Sequence, residues 1–257
     1  MQRFRILAIA CLVGLGWTGT LSAAEMPPLS ETEKAELSAK FQEAIAKTTK
    51  QIAESPEKTS LYSERGDARF FAGDFKGAVE DYEKMVVQNP KLASSHWRRG
   101  IAYFYAEEYK KAAGQFEIYH TFDDVDRENG IWRFFSQTKA YDLKKAREGL
   151  LKYEKDDREP FPDVYRLFAE EITPEQILKK IADAELSTTE RQKREFYAHL
   201  YIGLNHALHD RDDLARKHLA EAVKNKWPRE AGYGPNYMWH VGRVHYNSLV
   251  KKPADEK

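Results

Sequence analysis

Residues 62–116 read YSERGDARFFAGDFKGAVEDYEKMVVQNPKLASSHWRRGIAYFYAEEYKKAAGQF. Inside this stretch the same residue types return at a fixed offset of 34: Gly66 and Gly100, Phe75 and Tyr109, Ala78 and Ala112, Tyr82 and Phe116. Carried upstream, the offset meets Phe41 and Ala44, and carried downstream it meets Leu143 and Ala146; Pro56 and Pro90 keep the same register. A period of this length is that of a helix–turn–helix unit stacked on its like, so the stretch predicts an all-α helical-repeat protein.

The physics of one unit can be read from its small residues. Gly66 and Gly100 fall mid-helix, where glycine costs about 1 kcal/mol against alanine, so a close helix crossing is expected there. Ala78 and Ala112 are the expected facing small residues, with Tyr82 and Phe116 filling the space beside the crossing. Pro90 stops the second helix, because proline lacks the backbone donor and disfavours helix before it.

These residues resemble the tetratricopeptide repeat (TPR) family, whose signature is W-x2-L-G-x2-Y, then A-x3-F, then P. The first copy has Tyr62, Arg65, Gly66, Arg69, Ala78, Tyr82 and Pro90; the second has His96, Arg99, Gly100, Tyr103, Ala112 and Phe116, with Asp124 in place of proline. A third copy lies downstream as His199, Ile202, Gly203, His206, Ala215 and Leu219, followed by Trp227 and Pro228. The resemblance implies a TPR-type superhelix with clear repeats at 59–92, 93–126 and 196–229, degenerate units across 127–186, and a C-terminal capping helix. Arginines at the leucine position and histidines at aromatic positions are departures from the family pattern.

At the start of the chain, Arg3 and Arg5 precede an apolar run from Ile6 to Leu21, and Ser22, Ala23 and Ala24 are small. This is the plan of a secretory signal peptide, residues 1–24, cleaved near Ala24. Sixteen apolar residues broken by Gly14, Gly16 and Gly19 reach only about 24 Å, short of the ~30 Å hydrocarbon core, so no membrane span is expected after cleavage. Cys11 is the sole cysteine and invites a lipoprotein reading, but most of the apolar segment follows it where lipidation needs it to precede. The chain is thus expected to be exported, periplasmic or secreted, as one domain over residues 25–250 with a disordered tail at 251–257. Losing Arg3 and Arg5 moves the formal charge from zero to minus two. Charged residues make up 32% of the chain and are scattered in both signs, which describes a solvated helical surface and excludes a nucleic-acid footprint.

Along the domain, Ser30-Glu31-Thr32-Glu33 predicts a capping box for a helix to Glu54, and Thr173-Pro174-Glu175-Gln176 and Ser187-Thr188-Thr189-Glu190 predict two more. Two short helices are expected at 163–171 and 174–184, and a closing helix at 236–250. The acidic turn from His120 to Gly130 has glycine one place late and Phe135 where a calcium loop needs glutamate, so it reads as a turn capped by Asp124 or Asp126.

Chemistry-bearing motifs are few. His199 and His206 share a helix face, with His209 and His218 nearby, but they occupy the aromatic positions of the TPR signature and no HExxH accompanies them. No catalytic residue, metal site or cofactor is expected, and the chain is read as a non-enzymatic scaffold. A metal-assisted envelope hydrolase using the histidine-rich late repeat is the alternative. In a TPR array the first helix of each unit lines the concave face; here that places Ser63, Asp67, Phe70, Trp97, Ile101, Phe104, Leu200 and Leu204 in a partner-binding groove. An apolar, aromatic groove suits a peptide or a partner helix. The competing use of Trp97, Ile101 and Phe104 is cover by later helices of the same chain or by a second copy, as a homodimer. Arg65, Arg69, Arg98 and Arg99 are expected to pair within their helices with Glu64, Asp67 and Asp81.

The layout as a whole resembles bacterial periplasmic TPR adaptors of the new-lipoprotein-I type, with local echoes at Ile172-Thr173-Pro174-Glu175 and Tyr201-Ile202-Gly203-Leu204. That resemblance implies a dimerising adaptor that holds envelope proteases or peptidoglycan enzymes. The absent lipobox is a departure.

Overall fold

The computed structural model describes residues 27–155 and 158–251. The expected signal peptide, Cys11 and tail residues 252–257 lie outside the described residues. Among those described there are thirteen α-helices, one 3-10 turn at Pro90–Leu92 and no strand, so the chain is all-α. No described helix is both long and apolar enough to cross a membrane.

The helix boundaries follow local chemistry. Helix α1 (Glu31–Glu54) opens on the expected capping box, the Ser30 hydroxyl accepting from Glu33 N at 3.2 Å and the Glu33 carboxylate accepting from Ser30 N at 2.9 Å. Helices α2 (Thr59–Ala72) and α3 (Phe75–Gln88) form a hairpin, as do α4 (Trp97–Tyr105) and α5 (Tyr109–Tyr119). Helices α6 (Arg127–Ala140), α7 (Leu143–Glu148), α8 (Phe161–Phe168) and α9 (Pro174–Asp183) make the irregular middle. Asp126 caps α6 by accepting from Glu128 N at 3.0 Å, as the turn reading of that acidic segment required. Helix α10 (Thr188–Leu208) pairs with α11 (Asp212–Lys224), and a short α12 (Trp227–Glu230) leads into α13 (Tyr233–Lys251). The closing helix starts earlier than expected, and α12 was not foreseen.

The hairpins at α2/α3, α4/α5 and α10/α11 are built alike. A Cβ added to Gly66 would meet the Tyr82 ring at 2.6 Å, one at Gly100 the Phe116 ring at 2.6 Å, and one at Gly203 the Leu219 side chain at 2.8 Å. The glycine therefore faces the large residue sixteen positions on, not Ala78 or Ala112; the two alanines are themselves fully buried. The turn between the helices also recurs: Gly73, Glu107 and Asp210 hold φ of +89°, +64° and +55°. They stand at the same offsets as the three crossing glycines, 34 and 137 residues. A left-handed residue at this place satisfies the last carbonyls of the first helix and reverses the chain.

The arginines pair between helices, which corrects the intrahelical expectation. Arg65 and Arg69 of α2 both donate to Asp81 of α3, at 2.7 and 3.0 Å, and Arg98 of α4 donates to Asp67 of α2 at 2.6 Å. Residues two apart on a helix point away from each other, so Asp67 cannot serve Arg65 or Arg69, while a neighbouring helix presents a carboxylate directly. In the next unit Arg99 finds Gln115 at the position of Asp81, at 2.8 Å.

Two substitutions test this packing by urea unfolding. Gly100→Ala is expected to lose about 1–3 kcal/mol by overpacking against the buried Phe116 ring, whereas Gly114→Ala on α5, where nothing lies within 4 Å, should gain up to about 1 kcal/mol. Asp81→Ala should lose about 3 kcal/mol, because Asp81 is 2% exposed, Arg65 loses its carboxylate and Arg69 keeps only the longer contacts to Asp74 at 3.6 Å and Glu80 at 3.9 Å.

Candidate functional site

The residues predicted to line the groove come from α2, α4 and α10, and a single element meets all three helices. Helix α13 packs against α2, α10, α11 and α12. The Tyr237 ring stacks on Phe70 at 5.2 Å and takes the edge of Trp97 at 4.9 Å. His240 stacks on Phe71 at 4.0 Å, and Arg243 donates to the Phe71 carbonyl. A Cβ at Gly242 would lie 3.2 Å from Leu200, so the glycine lets α13 pass close to α10.

The predicted residues therefore have different surroundings. Phe70, Ile101, Leu200 and Leu204 are buried, while Ser63, Asp67, Trp97 and Phe104 are half-buried. Asp67 is saturated from within, accepting from the Tyr82 hydroxyl at 2.6 Å, from Arg98 at 2.6 Å and from the Tyr233 hydroxyl at 2.5 Å. Ser63 accepts from the same Arg98 guanidinium at 3.0 Å. Of the three occupants weighed from sequence, a partner peptide, a second copy and the chain's own later helices, it is helix α13 of the chain itself that packs against Phe70 and Trp97.

Two cavities lie along α13, one at its N-terminal turns and one at its C-terminal turns. The first, of about 390 Å3, retains Trp97 and Ile101 and is walled by Phe116, Tyr119, Trp132, Tyr197, Trp227 and Met238. The other, of about 300 Å3, retains Phe104 and Leu204 together with Phe75, Phe135 and Leu249. In the second, the Tyr105 hydroxyl and His245 Nδ1 are 3.0 Å apart.

The larger cavity carries an ion network that sequence reasoning missed. Arg158 donates to Glu128 at 2.6 Å and lies 3.6 Å from Asp126, and its guanidinium rests over the Phe161 ring at 4.4 Å. Glu128 also accepts from the Tyr201 hydroxyl. Burial, then the Glu128 charge, holds the Tyr201 and Tyr197 phenols far above their usual range; burial, then Asp126, pushes Tyr119 up to about 12. All three therefore remain neutral donors at ordinary pH. Arg158 follows a non-periodic charged stretch with no motif, so only the N-cap character of Asp126 could be read beforehand.

The histidines of the late repeat form a ladder between α10 and α11. His199 Nδ1 and His218 Nδ1 are 3.0 Å apart, so one holds a proton that the other accepts. The His206 ring stacks on His218 at 5.5 Å, and Glu175 of α9 contributes a favourable field to both. Burial pulls all three imidazoles down, His218 to about 4 with help from the charges of its two neighbours. Among the described residues no group of three or more histidine, cysteine, aspartate and glutamate side chains is arranged to hold a metal ion. Elsewhere, burial and Arg243 hold His240 well below its usual value.

No model of a known protein family matches the chain, and a search of curated proteins finds no match either.

The ladder has a pH consequence whose sign is set by the lowered values. The unfolded imidazole titrates near 6.5, so above that pH the neutral ladder contributes its full stability. As pH falls from about 6.5 to about 4 the unfolded chain binds protons that the folded His218 refuses, and stability declines. His218→Gln, which places here the residue type of Gln115 in the second unit, should flatten that part of the stability–pH curve in urea titrations at stepped pH. An unchanged slope would mean that His218 binds its proton equally well in the folded and unfolded chain.

Proposed function

We propose that this chain is an exported TPR-type scaffold that binds a protein or peptide segment on the concave side of its helical repeats, without catalytic chemistry of its own. The observation that carries the reading is the joint recurrence, at one set of offsets, of the crossing glycine, its large partner and the left-handed turn in the α2/α3, α4/α5 and α10/α11 hairpins. A chain built of such units presents first-helix side chains along one continuous face, and a face of this kind serves recognition. The aromatic cavities along α13 are the part of that face left open.

Export rests on the leader-like residues 1–24, with cleavage near Ala24, and an envelope partner such as a protease or a peptidoglycan enzyme follows from the resemblance to adaptors of the new-lipoprotein-I type. Self-association as a homodimer belongs to the same reading. The hydrolase alternative would rest on the ladder of His199, His206 and His218.

The test is capture from envelope extract by residues 25–257, run beside a Trp97→Ala/Phe104→Ala variant matched for helicity by circular dichroism. Proteins retained by the parent and lost tenfold or more by the variant, and rebinding as purified components, are the expected outcome. Equal capture by both chains, or capture by neither, would sink the scaffold reading of this face.

A further inference from the structure

The cavity of about 390 Å3 has a mixed lining. Trp97 and Ile101 of α4, Trp227 of α12 and Met238 of α13 give it apolar surface; Asp126, Glu128, Arg158 and Lys193 give it charge. Aromatic rings wall it on several sides, and such rings prefer edge-to-face or offset contact with another ring. Its volume lies at the lower end of the range for ligand sites, room for a side chain and its flanking backbone but not for a helix.

The charges in this lining do not form a field of one sign. Arg158 is met by Glu128 and Asp126, Glu128 by Tyr201 as well, and Lys193 lies 3.2 Å from Glu190. Two carboxylates and two cations line the wall, so a formally charged ligand gains from one pair member what it loses to the other. A peptide group, by contrast, carries one donor and one acceptor and no net charge. It can place its N–H toward a carboxylate and its carbonyl toward a guanidinium without uncoupling the pair.

We propose, building on the scaffold reading above, that this cavity is the anchor pocket for one aromatic side chain of a bound peptide, whose adjoining neutral backbone amide meets the Asp126–Glu128–Arg158 network. The aromatic ring occupies the surface made by Trp97, Trp227 and Met238. Specificity then comes from ring size and shape at the apolar surface, while the ion network orients the backbone and disfavours a charged residue at the anchor position.

Gly234 supplies the test. It lines the cavity from the first turn of α13, and a Cβ built there meets nothing within 4 Å, so the backbone at the cavity's edge tolerates a side chain whose bulk narrows the opening. Gly234→Phe is the plug, and Gly234→Ala is the control that carries any backbone effect of losing glycine before Pro235. The probes are acetylated, amidated Gly-Ser heptapeptides with a central phenylalanine, alanine, lysine or glutamate, titrated into the 15N-labelled chain to millimolar concentration. The readout is the indole N–H resonances. Those of Trp97 and Trp227 report on the pocket, and that of Trp239 is the internal reference, since its Nε1 donates to the buried Val223 carbonyl at 2.9 Å.

The phenylalanine peptide is expected to shift the Trp97 and Trp227 signals and not that of Trp239. It should bind at least tenfold more tightly than the alanine, lysine or glutamate peptides, and Gly234→Phe, but not Gly234→Ala, should weaken it at least tenfold. A larger response to the lysine peptide would replace the proposal with a cation cage, and equal responses to all four, or persistence in Gly234→Phe, would overturn it. If no peptide binds while partner capture is still lost in Trp97→Ala/Phe104→Ala, the pocket fails and the scaffold stands. If the phenylalanine peptide binds as described and no protein partner is captured, the pocket stands and the scaffold fails.

Discussion

The contact on which this structure depends is the close crossing inside each regular hairpin, where a glycine on the first helix lies under a large side chain of the second. With Gly66 beneath Tyr82, Gly100 beneath Phe116 and Gly203 beneath Leu219, the helix axes approach until no methyl fits between them. Tyr82, Phe116 and Leu219 are fully buried as a result. The loss of helix propensity at each glycine is modest, about 1 kcal/mol, and burying an aromatic or leucine side chain more than offsets it at about 1.5–3 kcal/mol. Repeated three times, the device sets the spacing of the two helices within each of these hairpins.

What those faces meet is governed by α13. The side chains of Phe70, Phe71, Trp97 and Ile101 carry apolar area that water disfavours, and the C-terminal helix brings Tyr237, Met238 and His240 against them. Polar groups in the same seam are matched as they are buried. Asp67 receives Tyr82, Arg98 and Tyr233, and the Phe71 carbonyl receives Arg243, whose own ionisation burial lowers to about 10. Further from the N-terminal units, Arg229 of α12 reaches Glu33 of α1 at 3.9 Å, so the last helices and the first are neighbours. The chain thus covers these side chains itself and leaves openings near the first and the last turns of the helix that does so.

The late repeat shows how one position of the unit can hold different chemistry. Asp81, Gln115 and His218 occupy equivalent places on the second helix, and each faces the first helix of its own hairpin. In the first unit the result is a salt bridge with two arginines, in the second an amide accepting from Arg99, and in the third an imidazole pair that stays neutral because it is buried. The site is one at which the hairpin demands a polar contact and leaves its nature open.

The sequence by itself determined the all-helical class, the 34-residue spacing, the capping boxes at Ser30 and Thr173 and the glycines of the crossings, because each depends on residues within one hairpin or on backbone preferences of a single residue; at Ser187 only the N-cap half of the expected box forms, the hydroxyl accepting from Glu190 N. It left open whether Trp97 and Ile101 face solvent, a partner or their own chain, since that depends on where α13 lies, some 140 residues away along the sequence. The pairing of Arg158 with Asp126 and Glu128 was equally hidden, because charges in an aperiodic segment find partners only once helices are stacked. The arginines of α2 and α4 were placed within their own helices by sequence and across helices by the fold. Local propensity and period act over one or two turns, whereas the choice of covering surface and of ion partners is made by burial between elements distant in sequence, and only the tertiary structure decides it.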